Sequence, residues 1–204
     1  MPHTGVDAVP VACQVVQAFQ SILSRNCAPL DAAVLSVTMI HAGQARNVTP
    51  SVCQIEGTVR AFRSEVVDLI ERRMRSLAQH TCAAHGAGCD FEFLRRAPAV
   101  VNHRFEAEFA SRVMTDLVGP QRVMVQEPAM PSEDFAYMLQ AKAGCYAFIG
   151  NGDGEHRAVA HGLGPCMVHN PSYDFNDALL PVGAAYWVAL AQAWLAQAPQ
   201  GPAR

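Results

Sequence analysis

The sequence predicts an α+β first half followed by an α/β second half. The first half reads as a split βαβ sandwich with an antiparallel sheet whose first strand is missing. Three observations support this. Periodicity switches between helical and strand spacing in the order helix, strand, strand, helix, strand over the first 95 or so residues. Pro98 then breaks the chain and the pattern restarts. The last segment is apolar nearly all round and reads as a helix that needs cover on every side. The predicted division is residues 1–97 and 98–204.

The first helix is predicted from about Val9 to Arg25. Ala12, Val15, Val16, Phe19, Ile22 and Leu23 recur at helical spacing, and Pro10 is tolerated in a first turn. Asp31 to Ile40 is rich in Val and Thr and reads as a strand. A turn-rich connection, His41 to Ser51, leads into a second strand, Val52 to Phe62. There Cys53, Ile55, Val59 and Ala61 alternate with Gln54, Glu56, Thr58 and Arg60. Ser64 is placed to cap a helix running to about His80, with Val66, Val67, Ile70, Met74 and Leu77 on its apolar face. Asp90 to Arg95 is predicted as a short strand.

In the second half, a helix is predicted from about Asn102 to Leu117, on Phe105, Phe109, Val113 and Leu117. Short strands are predicted at Arg122–Gln126 and Gly144–Gly150, and a short helix at Glu133–Gln140. A polar, Gly-rich loop, Asn151 to Asn176, precedes the final helix at about Ala178 to Ala196.

Composition excludes several classes. Half the residues are hydrophobic and 16% are charged, so the chain has material for packed cores. The net charge is −3 with no basic run, which argues against nucleic acid as a partner. The longest apolar run, Val182 to Ala196, falls short of the ~20 residues of a membrane span. No signal peptide is visible, so no membrane association and a cytoplasmic location are expected. The seven cysteines form no Cys-x-x-Cys pair, which fits reduced thiols in apolar surroundings.

Three stretches carry candidate chemistry. His169 lies in His-Asn-Pro-Ser-Tyr-Asp-Phe-Asn-Asp (169–177), a polar loop in which Asp174, Asn176 and Asp177 could orient its ring. The same residues also suit a plain turn-forming loop, and by residue type alone that is the stronger reading. Arg60 lies on the polar face of its strand and Asn47 in the connection before it. A guanidinium fork with an amide can read a carboxylate, whereas an exposed strand Arg and a turn Asn need no such role. Glu133 lies in Pro-Ser-Glu-Asp-Phe (131–135), where a capping Ser132 and acids in a first helical turn are expected from the helix dipole alone.

Taken together, Gly-Gln-Ala-Arg-Asn-Val-Thr-Pro (43–50), Gly-Thr-Val-Arg (57–60), Ser-Glu-Asp-Phe (132–135) and the 169–177 stretch resemble, in order, the motifs of hippurate-hydrolase-like amidohydrolases of the aminoacylase/carboxypeptidase metallohydrolase superfamily. The opening Pro-His-Thr-Gly-Val-Asp (2–7) resembles a further family segment. The resemblance implies a lid and dimerisation domain over residues 1–97, and the C-terminal part of a metallopeptidase-like catalytic domain over 98–204. It implies His169 as a metal ligand, Asn47 and Arg60 as contacts to the substrate carboxylate, and Glu133 near the metal as a catalytic candidate. The implied cofactor is a divalent metal (zinc, manganese, cobalt or nickel) in the full-length family, not held by this chain alone. The implied partners are an N-acyl amino acid substrate and a second copy of the chain, paired through the lid.

The family's remaining ligands and its general-base glutamate have no counterpart in these residues. A metal-bound water needs about three protein ligands and a carboxylate beside it. The expectation is therefore a truncated amidohydrolase. The alternatives are a non-catalytic dimerisation or carboxylate-binding module, or one half of a split enzyme.

Overall fold

The computed structural model describes residues 2–152, 168 and 173–197. It contains helices α1 (Ala8–Arg25), α2 (Ser64–Ala84), α3 (Arg104–Val118), α4 (Phe135–Ala141) and α5 (Leu180–Gln197). Its strands are β1 (Ala33–Ala42) and β2 (Cys53–Ala61). The chain divides into two units. The first holds residues 1–99 with Pro128–Tyr137, and the second Val100–Glu127 with the remainder from Met138.

In the first unit α1 starts where Asp7 caps it, its carboxylate accepting from the Val9 N–H at 3.0 Å. β1 and β2 pair antiparallel from Ala33↔Ala61 to Ala42↔Cys53, with a bulge between Val37 and Met39. Helices α1 and α2 lay their apolar stripes on one face of this hairpin. Val15, Phe19 and Ile22 of α1, Leu35 of β1, and Val66, Ile70 and Ala78 of α2 form the core. Ile55, Val59 and Ala61 of β2 pack against it, as their alternation requires. Ile22 and Ile70 are fully buried. Burying such a side chain stabilises by about 1.5–3 kcal/mol, so both helices fasten the hairpin's apolar face.

The start of α2 differs from expectation. Ser64 is the first helical residue rather than the cap. Arg63 stands at the cap position and makes no side-chain capping bond. At the other end the Gly86 N–H bonds the Ala83 carbonyl at 3.0 Å and the Ala87 N–H bonds Cys82 at 2.9 Å. Gly86 has φ +70°, so a left-handed glycine turns the chain back over the helix end.

Three predicted strands are not formed. Asp90 to Arg95 runs without a ladder partner among the described residues. It is fastened to α2 instead, by Arg95 to Asp68 and Glu71 at 2.5 and 2.6 Å, and by Arg75, which lies 4.7 Å over the Phe91 ring and donates to the Phe91 carbonyl. Arg122 to Gln126 begins in a 3-10 turn, Pro120–Arg122, and then leaves Met124 and Val125 exposed.

Gly144 to Gly150 is held by side chains rather than by a strand. The Asn102 amide donates to the Tyr146 carbonyl at 2.8 Å and accepts from the Tyr146 N–H at 2.7 Å, while Gly144 exchanges bonds with His103. Alternation predicts which face a segment shows, but a strand forms only where a neighbour supplies its hydrogen bonds.

In the second unit α3 packs on α5 through Phe109, whose ring meets Trp194 edge-on at 5.3 Å, with Phe105 beside it at 6.3 Å. Most of α5 stays uncovered. Leu180, Trp187 and Leu195 are each more than two-thirds exposed. The stretch Asp177–Ala196, 20 residues of mean hydropathy 1.4, is long and apolar enough to cross a membrane by length and composition alone. The apolar run read from Val182 to Ala196 lies wholly within α5.

Candidate functional site

Arg60 stands near the end of β2, paired with Val34 across the ladder. Its neighbours Val59 and Ala61 turn into the core, so Arg60 lies on the opposite, polar face with Thr58 and Glu56. Its guanidinium Nη1 donates to the Ser132 hydroxyl, 72 residues away in sequence. A second tether fixes the same segment, since the Tyr137 hydroxyl donates to the Arg96 carbonyl. The Ser-Glu-Asp-Phe stretch is thereby held against the first unit, with half-buried Glu133 next in the chain to the serine that Arg60 grips. Ser132 thus serves Arg60. The helix beyond it begins with the Tyr137 N–H on the Asp134 carbonyl at 2.9 Å.

Asn47 is placed differently. It is exposed in a turn of the β1–β2 connection, closed by the Val48 N–H on the Ala45 carbonyl at 3.3 Å. That connection joins Ala42 to Cys53, whereas Arg60 pairs near the opposite end of the hairpin. At ~3.3 Å per strand residue, Cys53 and Arg60 are about 23 Å apart. The connection that carries Asn47 and the strand position of Arg60 thus leave the hairpin at opposite ends.

His169 lies outside the described residues. The segment that follows it is anchored, however. The Asn151 amide donates to the Asp174 carbonyl at 2.8 Å, its side-chain oxygen accepts from the Asn176 N–H at 2.9 Å, and the Asn176 amide donates to the Asn151 carbonyl at 3.2 Å. Asn176 also caps the start of the last helical segment, accepting from the Ala178 N–H at 3.1 Å. Asp174 and Asn176 are therefore engaged with Asn151 and the helix start. Asn151 was not singled out in the sequence. A lone Asn ahead of a Gly-rich loop has no signal of its own.

Among the described residues no group of three His, Cys, Asp or Glu side chains is arranged to hold a metal ion. The described residues thus do not by themselves make a metal centre.

Comparison with known proteins gives a consistent picture. The profile of Peptidase family M20/M25/M40 matches residues 6–193. The hippurate hydrolase of Campylobacter jejuni is 31% identical over 95% of this chain and 48% of its own length. An N-acetyl-L-cysteine deacetylase of Bacillus subtilis is 35% identical over 92% of this chain and 42% of its own. The crystal structure of Bacillus subtilis YXEP protein, described as a dinuclear metal binding peptidase from the M20 family, superposes with a TM-score of 0.71 at 26% identity. It covers 93% of this chain and 46% of that one. The chain spans less than half the length of the curated relatives it matches.

Proposed function

Because the chain belongs to Peptidase family M20/M25/M40, we propose that it forms part of a metal-dependent amidohydrolase that cleaves N-acyl amino acids, with Arg60 reading the substrate's free carboxylate. The observation that carries this is the Arg60–Ser132 bond, which ties two separately recognisable motifs together at a polar strand face. One N–H of the five on the guanidinium goes to Ser132. The planar fork keeps donors for a carboxylate, and Arg is the side chain best shaped for that task. Hippurate and N-acetylcysteine, named for two relatives, are both N-acyl amino acids with such a carboxylate. In this reading Glu133 is a proton-handling candidate beside the substrate amide, and His169 is a metal ligand whose partners come from elsewhere in the enzyme. The metal, when bound, supplies an activated water and polarises the amide carbonyl.

The position of Asn47 favours a site completed by two copies. If Asn47 also meets the substrate, it meets one held by another copy's Arg60. The hairpin that carries Asn47 exposes Met39, Ile40, Val48 and Val52, an apolar surface suited to a second lid. Sedimentation of the wild-type chain checks this, with a dimer expected and a concentration-independent monomer counting against it.

The decisive experiment is calorimetric binding of hippurate, with its carboxamide analogue as the control. A hydrogen bond to a charged group contributes about 1.5–3 kcal/mol, so Arg60→Ala should weaken hippurate binding roughly 10- to 150-fold. The carboxamide should bind weakly to both forms. Equal affinity of the wild type and a folded Arg60→Ala protein for hippurate would sink the assignment.

A further inference from the structure

We propose that Cys82 and Cys89 form a dithiol that closes to a disulfide by exchange with a small-molecule disulfide such as oxidised glutathione. The argument begins with the end of α2. The glycine turn at Gly86 folds the chain back so that the Ala87 N–H reaches the Cys82 carbonyl, and Cys89 follows two residues later. Both side chains pack against the same hydrophobic core, and the Cys82 thiol bears on the Cys89 thiol electrostatically. A helix end, a left-handed turn and a shared core thus bring the two cysteines to one side of the fold, as a disulfide requires. The segment beyond is pinned to α2 by Phe91 under Arg75 and by Arg95 on Asp68 and Glu71, so the approach is built into the native fold.

The exchange balances without a further reactant. One thiolate attacks the small disulfide, forming a mixed disulfide and releasing one small thiol. The second protein thiol then attacks the protein sulfur of that mixed disulfide and releases the other. The two protein hydrogens leave on the two small thiols. Burial, and then the neighbouring Cys82, push the Cys89 thiol up from its ordinary range. That disfavours the Cys89 thiolate and slows its attack. The pair should behave as a slow-closing structural dithiol, open in a reducing compartment and closed in an oxidising one.

The test uses the whole chain under native conditions. It is incubated with oxidised glutathione, the remaining thiols are alkylated, and the protein is digested with trypsin. Both cysteines fall in one peptide, Ser76 to Arg95, with no internal Lys or Arg. The expected result is a peptide two hydrogens lighter, unalkylated, and converted by dithiothreitol to the doubly alkylated form. With Cys82→Ser the same peptide should carry one glutathione on Cys89 or one alkyl group, and never the closed form. The proposal is overturned if both thiols stay alkylatable while exposed Cys13 has been oxidised. It is equally overturned if Cys89 is found joined to Cys27 or to any other cysteine.

Discussion

Gly57 is the residue at which a single added carbon should do most damage. A Cβ built there lies 2.2 Å from the Ser36 carbonyl oxygen and 3.1 Å from both the Ser36 carbonyl carbon and the Val37 Cα. All three are backbone atoms, so no rotamer change relieves the clash. The strands must part by at least ~1 Å to restore ordinary contact. This happens beside the bulge between Val37 and Met39, in a sheet of two strands with no third to brace it among the described residues. Forced overpacking costs about 1–3 kcal/mol and each ladder hydrogen bond lost about 1 kcal/mol more, so Gly57→Ala should destabilise by roughly 2–4 kcal/mol. Urea unfolding followed by circular dichroism reads this as a lower midpoint. Gly88→Ala is the matched control, since nothing lies within 4 Å of a Cβ there and a change within about 0.5 kcal/mol is expected. If Gly57→Ala unfolds within the range of that control, the strand register described above is wrong. Arg60 lies three residues further along the same strand, so hippurate affinity should fall with stability if Arg60 holds the carboxylate.

Other expectations follow from single contacts. Ile70→Ala empties a fully buried core position and should cost about 2–5 kcal/mol in the same unfolding assay. The Glu71 carboxyl is held below its ordinary range chiefly by its hydrogen bond to Arg95, with Arg75 adding to it. A lowered folded pKa contributes stability that is present above the ordinary carboxylate range and lost as pH falls through the folded value. Glu71→Gln should therefore flatten the acid side of the stability profile, and an unchanged acid limb would show that the Arg95 contact has no energetic weight. Asn176→Ala removes a helix cap and the side-chain bond to the Asn151 carbonyl, at a cost of about 1–2 kcal/mol. Amide exchange should quicken at the start of α5, and unchanged protection of Ala178 and Leu179 would refute the capping role.

The helices were legible because each makes its own hydrogen bonds. Val15, Phe19 and Ile22, or Val66 and Ile70, show their spacing wherever the helix ends up. The β1–β2 hairpin was legible because both strands are in the chain and adjacent. The segments at Phe91–Phe93 and at Cys145–Ile149 carry strand-like composition, yet no strand pairs with them among the described residues, and alternation alone cannot reveal that. Arg60 and Ser132 were each legible as members of motifs. Their contact was not, because 72 residues of intervening chain leave no trace of it in spacing. Asn47 and Arg60 were each legible as members of motifs, but that the connection carrying Asn47 and the strand position of Arg60 leave the hairpin at opposite ends was not.

The paired amides of Asn151 and Asn176 clasp the two ends of a long excursion of chain, 25 residues apart. Once its ends are clasped, such an excursion can change in length almost without penalty. The closure entropy grows only logarithmically, so doubling the loop costs about 0.6 kcal/mol. Insertions and deletions between the clasped ends can be tried, kept or discarded while the helix beyond still starts at the same asparagine.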